Sequence, residues 1–379
     1  MWFFRSPEIV FGEDSLSYVS SLEIRKAALI TDRNLLGTDL PEQVRRALPQ
    51  GAESIVIGDI SEEPPLSEMT AHLDQIRKFE PDWFVGVGGG SVMDTAKILF
   101  CLYERPDLSV YDITPLVKLG LRKKCRLLAV PTTSGTGSEC TWAAVLSIEG
   151  EHRKHELASP EILPDCAILD PALVTTLPLE QTRNTASDAL AHTVEAYGSA
   201  WRNPFSDAFA EKSMELVSQN IMGVIKDSGN VELRNRVHMG ASMAGLAFSN
   251  SQIGLVHALG HAFGARFKTP HGKAVALFLP HVVEFNYDAC PERYDKLNRI
   301  VPAEYRGVRL SDSLENILKA MGQARSGKEA GIGESEFLSN LDSLVSMASE
   351  STGMVTNPKD SGSADLRNLF VQAYEAEAS

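Results

Sequence analysis

The feature that most constrains this 379-residue chain is a change of hydrophobic rhythm near residue 180. Before it, short β-rich apolar runs alternate with amphipathic stretches. AALITD (27–32), SIVIGD (54–59), WFVGVGGG (83–90), RLLAVPTT (126–133) and CAILD (166–170) read as buried strands. Between them, SEMTAHLDQIRKFEPD (67–82) and SVMDTAKILFCLYERP (91–106) place apolar residues three and four apart, as helices packed on a sheet do. Such alternation predicts a parallel, doubly wound sheet, because parallel neighbours need a crossover long enough to hold a helix. Beyond TTLP (175–178), long Ala-, Met- and Leu-rich segments take over, with turn signals at Asn203-Pro204, Thr269-Pro270 and Asn357-Pro358. The chain therefore reads as an α/β domain over 1–179 and an all-α domain over 180–379. The stretch GQARSGKEAGIGESE (322–336) reads as an exposed loop.

Charge narrows the partners. With 36 basic and 50 acidic residues the formal net charge is −14, a field that repels phosphate backbones and anionic lipid surfaces, so nucleic acid and membrane are not expected partners. Five scattered cysteines form no CxxC pair, which argues against a disulfide framework and for a reducing compartment. The opening MWFFRSPEIVFGEDSL carries Arg5 and Glu8 and has no long apolar core, so it does not read as a signal peptide. No run of about 18 uncharged apolar residues predicts a membrane span, and the expected location is the cytoplasm.

At the end of the third strand run stands GVGGGSVMDTAK (86–97), with the helical pattern beginning at Ser91. Glycines at 88, 89 and 90 let the backbone approach a phosphate closely, and a helix start supplies free N–H donors and a positive dipole end. The sixth position is Ser91, so the loop departs from GxGxxG; a glycine-rich turn from strand to helix is the alternative. The segment PTTSGTGSE (131–139) offers hydroxyls and backbone N–H groups suited to phosphate, ribose or amide. Asp32, closing ALITD, either accepts hydrogen bonds from ribose hydroxyls and repels a 2′-phosphate, or caps the next turn.

The helical half holds a second constellation. In TASDALAHTVEAY, Asp188 and His192 lie four apart and share a helix face. Downstream, GLVHALGHAFGARFKTPHGKA carries His257 and His261, also four apart, and His271 just past a helix-ending Thr-Pro. One histidine on an apolar face is ordinarily a core residue; three within fifteen positions, beside an Asp-x-x-x-His pair, point to a metal. Carboxylate with imidazoles suits Fe(II), Zn(II), Mn(II) or Ni(II). An ion so held lowers the pKa of an alcohol and polarises a carbonyl. Spacing does not decide between His257 and His261 as ligands.

Taken together, GVGGGSVMDTAK, VPTTSGTGSE, DALAHTVEAY, GLVHALGHAFG and TPHGKAVALFLPH resemble the signatures of the iron-containing, or group III, alcohol dehydrogenase family. The resemblance runs from RSPEIVFG to the TNP near the C-terminus. It implies a Rossmann-like dinucleotide-binding domain, a helical metal-binding domain of dehydroquinate synthase-like architecture, and a cleft between them for cofactor and metal. It places the metal on Asp188, His192, His257 and His271, and leaves His261 to relay the alcohol proton or support the ligands. For NAD(H) it assigns ribose selection to Asp32, pyrophosphate to Gly88, Gly89, Gly90, Ser91 and Asp94, and further contacts to Thr132, Thr133, Thr136 and Lys154. Where many members have Thr-Gly-Met before the ligand aspartate, this chain has Thr185-Ala186-Ser187. The implied function is NAD-dependent interconversion of a small alcohol and its aldehyde or ketone with one divalent metal, Fe(II) first, in a homodimer or larger assembly. Glycerol or polyol dehydrogenases, lactaldehyde-type reductases and a dehydroquinate synthase-like lyase are the rivals.

Overall fold

The computed structural model describes residues 3–61, 64–148 and 154–376. In the first half the strands are β1 (Glu8–Phe11), β2 (Lys26–Asp32), β3 (Glu53–Ile60), β4 (Trp83–Gly88), β5 (Arg126–Pro131), β6 (Ala143–Ser147), β7 (Lys154–Ala158) and β8 (Cys166–Leu169). Interleaved are helices α1 (Arg33–Leu36), α2 (Leu40–Arg46), α3 (Leu66–Thr70), α4 (Leu73–Phe79) and α5 (Gly90–Glu104). Six strands form one sheet in the order β1-β8-β5-β4-β2-β3, parallel at every pairing.

Both faces of this sheet are covered, as a parallel sheet requires. Along β2, Ala28 and Ile30 enter one core with Phe84, Val92 and Leu99. Ala27 and Leu29 enter the opposite core with Val85, Leu128 and Ile168. Setting aside β1, the order is that of a 2-1-3-4-5 doubly wound fold, which reverses direction between β2 and β4. The carboxyl ends of those two strands, at Asp32 and Gly88, flank the point where such sheets bind ligands.

Three details differ from the sequence reading. The 67–82 stretch is two short helices, because helical bonding lapses at Ala71–His72 between α3 and α4. The edge strand β1 has only four residues, too few for a pattern. The antiparallel pair β6–β7 joins a short apolar run, AAVLS, to the charged KHELA, and neither was read as a strand.

The second half is helical: α6 (Leu179–Gly198), α7 (Pro204–Lys226), α8 (Val231–Ser249), α9 (Leu255–Phe267), α10 (His271–Asn286), α11 (Pro291–Ile300), α12 (Leu310–Met321), α13 (Glu334–Ser349), α14 (Gly353–Thr356) and α15 (Ser363–Glu375). Their apolar faces close on a core that includes Leu190, Met214, Leu259, Phe278 and Leu344. The chain separates into two compact units. Arg5–Thr133 with Gly137–Thr176 form one, and the described chain from Leu177 on, together with Phe3, Phe4 and Ser134–Thr136, forms the other.

The segment 322–336 corrects an expectation. It lacks regular structure until α13 begins at Glu334, but it is not simply exposed: Gln323 and Ser326 are buried. The Gln323 amide donates to Asn184 Oδ1 and Ser187 Oγ, each at 3.0 Å, so this loop packs against the start of α6.

Candidate metal and cofactor sites

Three helices bring the carboxylate and the imidazoles together. On α6, Asp188 and His192 are one turn apart, and both are buried. The chain returns through α9, which starts at Leu255 and carries His257 in its first turn. A left-handed Lys268 (φ 52°) ends α9, and Pro270 follows, so the chain doubles back into α10 with His271 as its first residue. The reversal that the Thr-Pro signal predicted is what returns His271 to the cluster.

Asp188 Oδ1 is the focus. His271 Nε2 lies 3.2 Å from it, His257 Nε2 3.3 Å and His192 Nδ1 3.7 Å. Donor atoms of Asp188, His192 and His257 all fall within 4.8 Å of one another; His271, 28% exposed, completes the set through its approach to Asp188. Nitrogen and oxygen ligands about 2.1 Å from one tetrahedral ion stand roughly 3.4 Å apart, which these spacings match. Among the described residues His192 Nδ1 is moreover buried without a hydrogen-bond partner, a costly condition for an imidazole nitrogen unless something outside the protein completes it. The residues present therefore fit a divalent metal.

The electrostatics agree. Burial opposes ionisation of Asp188, but His192 and His271 and the hydrogen bonds from His257 and His271 hold its carboxyl well below the usual range. Burial pushes the pKa of His192 down to about 3, so its lone pair is available. His257 goes the other way: burial opposes its charge, yet Glu195 and Asp188 raise it to about 10.

His261 lies one turn beyond His257 on α9. Its ring centroid is 5.1 Å from that of His271 and 5.7 Å from that of His257. Phe248, near the end of α8, stacks on His192 with centroids 4.1 Å apart.

Sequence reasoning passed over Glu195. Its carboxylate contacts His257 Nδ1, and its other oxygen accepts the His257 backbone N–H at 3.2 Å. The signal was present in DALAHTVEAY: seven residues after Asp188 and three after His192, Glu195 shares their helix face.

In the sheet unit, α5 starts at Gly90 with Gly89 as its N-cap, so no side chain closes the helix start. Gly88 pairs with Pro131 at the end of β5, and Gly88 O accepts from Thr132 N at 3.0 Å. A Cβ on Gly89 would stand 3.1 Å from Thr133 Cγ2. Gly88, Gly89 and Gly90 thus form a strand-to-helix turn without side chains, followed by Ser91, beside Thr132 and Thr133, whereas Thr136 goes with the helical unit.

Asp94 turns elsewhere. Its carboxylate accepts from Ser138 Oγ at 2.8 Å and from Val145 N at 2.9 Å. Lys97, fully buried, donates to Ser138 Oγ, Thr141 Oγ1 and Ala143 O at 2.8, 2.9 and 2.7 Å. Asp94, expected at the pyrophosphate, and Lys97, given no role, together tie α5 to β6. Asp32 caps α1, its Oδ1 accepting from Asn34 N and Leu35 N at 2.8 and 3.0 Å. Lys154 opens β7 opposite Ser147; its side chain lies outside the described residues. Among the described residues no helix is long and apolar enough to cross a membrane.

A doubly wound sheet with a glycine turn at its reversal point, in a chain whose helical half gathers a carboxylate and imidazoles, marks a metal-dependent oxidoreductase. A model of the iron-containing alcohol dehydrogenases matches residues 6–171, and one of the C-terminal part of the Fe-containing alcohol dehydrogenase family matches residues 182–374. The chain belongs to the iron-containing alcohol dehydrogenase family, whose reaction interconverts alcohols and carbonyl compounds. It is 32% identical to an NADPH-dependent butanol dehydrogenase of Clostridium saccharobutylicum, over 97% of this chain and 96% of that one. An iron-containing alcohol dehydrogenase structure from Thermococcus thioreducens superposes with a TM-score of 0.88 at 32% identity, covering 100% of both chains. Sulfoacetaldehyde reductase from Bifidobacterium kashiwanohense, solved in complex with NAD+, superposes with a TM-score of 0.88 at 25% identity, again over 100% of both.

Proposed function

We propose that this chain oxidises small alcohols, and reduces the matching aldehydes or ketones, with NAD(H) and one divalent metal held by Asp188, His192, His257 and His271, iron being the first candidate. The observation that carries this is the convergence of three imidazole nitrogens on Asp188 Oδ1 at 3.2 to 3.7 Å. When bound, such a metal supplies Lewis acidity toward the alcohol or carbonyl oxygen. The protein's own part is to keep Asp188 ionised and His192 neutral in a buried place, so that both offer lone pairs on arrival of a cation. His261, beside His271 in ring contact, is the group assigned to carry the alcohol's proton.

For the cofactor, the bare start of α5 offers N–H donors and a positive dipole end to a pyrophosphate. Asp94 is assigned to hold that turn to its neighbour rather than to touch phosphate, since its carboxylate is engaged by Ser138 and Val145 and would repel an anion. Asp32 stands at the end of β2, at the sheet's reversal point, where a carboxylate favours ribose hydroxyls over a 2′-phosphate. This supports NAD(H) here, although the butanol dehydrogenase relative is NADPH-dependent. Five buried free cysteines fit a reducing, cytoplasmic setting.

The test is metal analysis of the purified protein followed by NAD-coupled turnover of short alcohols and aldehydes. One bound divalent ion per chain and NADH production are expected. A protein whose turnover is unaffected by stripping metal, or by His257→Ala, overturns the proposal.

A further inference from the structure

We infer that Glu195 is the positioning residue that sets the tautomer and ring orientation of His257, an inference resting on the metal-site reading above. Glu195 is nearly inaccessible, its side chain 4% exposed. Burying a carboxylate is expensive unless both oxygens are engaged, and here both are engaged by one residue. Oε1 accepts the His257 backbone N–H at 3.2 Å, and Oε2 contacts the ring Nδ1 of the same histidine.

His257 is the third residue of α9, so its N–H is among the helix-start donors that have no partner within the helix. The positive end of α9 is a favourable place for the carboxylate that reaches it. An ionised carboxylate only accepts, so Nδ1 must carry the ring proton in a neutral His257. The lone pair is then on Nε2, the nitrogen that stands 3.3 Å from Asp188 Oδ1. One side chain thereby holds the main chain and the ring of one ligand residue, leaving the imidazole no freedom to flip its nitrogens.

A plain helix-capping role would need only the backbone bond. The two roles separate in Glu195→Gln, because the amide puts an acceptor oxygen at only one of the two positions now held by Oε1 and Oε2 and an NH2 donor at the other, so in this geometry one of the two N–H groups loses its acceptor. The experiment is zinc titration of the full-length wild type and Glu195→Gln against a competing chelator, with melting of the metal-free proteins measured alongside. The expected result is a roughly 10- to 100-fold weaker zinc affinity in a folded Glu195→Gln protein. A folded variant whose affinity stays within about threefold of wild type, well short of that loss, overturns the inference.

Nitrogen-15 spectra of the histidines in zinc-loaded wild type give an independent reading, which decides if Glu195→Gln does not fold. A proton on Nδ1 of His257 supports the inference, and a proton on Nε2 overturns it. A wild-type protein that holds no zinc or iron at all overturns the metal-site reading, and this one with it; zinc-binding wild type with an indifferent variant removes Glu195 alone.

Discussion

Gly272 lies so close to Asn184 that a Cβ on the glycine would stand 2.0 Å from the asparagine's carbonyl oxygen. The two residues adjoin the candidate metal ligands from opposite helices: Asn184 is one turn before Asp188 on α6, and Gly272 follows His271 on α10. A backbone obstacle cannot swing aside as a side chain does, so any residue larger than glycine must push α10 away from α6. Gly272→Ala is expected to cost about 1–3 kcal/mol of stability and to lower metal occupancy by displacing His271. Thermal melting and metal content of the variant check both; a variant with unchanged metal occupancy would show that His271 tolerates the shift.

His257 and His261 share a helix face but should fail differently. Replacing His257 by alanine removes one of the donors gathered at Asp188, so metal content and turnover should fall together. Replacing His261 by asparagine should leave metal content intact and reduce kcat by roughly 10²-fold, the contribution typical of a proton-transfer group. Metal analysis beside steady-state kinetics for the two variants separates the roles.

Metal affinity should rise with pH. In the metal-free protein Glu195 and Asp188, working against burial, hold the His257 pKa at about 10. At neutral pH the ring is therefore doubly protonated, and an arriving cation must displace the proton on Nε2. Below that pKa the association constant should increase about tenfold per pH unit. Competition titrations with a pH-insensitive chelator between about pH 6 and 8.5 would give the slope, and a flat profile would contradict the protonated ring.

Lys97 gives a stability signal of definite sign. Burial lowers its pKa from 10.5 to about 8. Between these values the unfolded chain binds more protons than the folded one, so this lysine's contribution to stability increases as pH rises from about 8 to 10.5. Relative to Lys97→Met, the wild type should gain up to about 3 kcal/mol across that window. Denaturant melts of both proteins at pH 7.5 and 10 test it, and taking the difference cancels the titration of other groups.

Asp32 has a demonstrable duty as the cap of α1, so removing it wholesale would confuse two effects. Asp32→Ser keeps a capping oxygen while deleting the charge. The ratio of kcat/KM with NADPH to that with NADH should then rise by roughly tenfold or more, about 1.4 kcal/mol of lost discrimination. An unchanged ratio would confine Asp32 to capping.

Much of this was legible in the residues, and the limits have physical causes. The strands β2, β4, β5 and β8 showed themselves because both faces are buried, which makes them continuous apolar runs; the edge strand β3 is half exposed and was legible from its β-branched residues alone. The hairpin β6–β7 did not, because KHELA carries its charge on a short pair outside the main sheet. The pairs Asp188–His192 and His257–His261 could be read from helical spacing because four-residue steps share a face, whereas the choice of His257 over His261 came only from the family resemblance. Glu195 was on the same face but looked like any polar residue of a helix; only the return of α9 against α6 shows that it meets His257. Asp94, to which the resemblance gave a pyrophosphate role, shows what sequence does not carry, the bonds of its carboxylate to Ser138 Oγ and Val145 N.

The four candidate ligands come from three separate helices, yet only the three residues 268–270 join α9 to α10, whereas 56 positions lie between the end of α6 and the start of α9. A cation seated there would cross-link distant stretches of chain as a removable rivet. Stripping it with a chelator should accelerate amide exchange and proteolysis most at the α6 contacts, and adding it back should restore protection without any covalent repair.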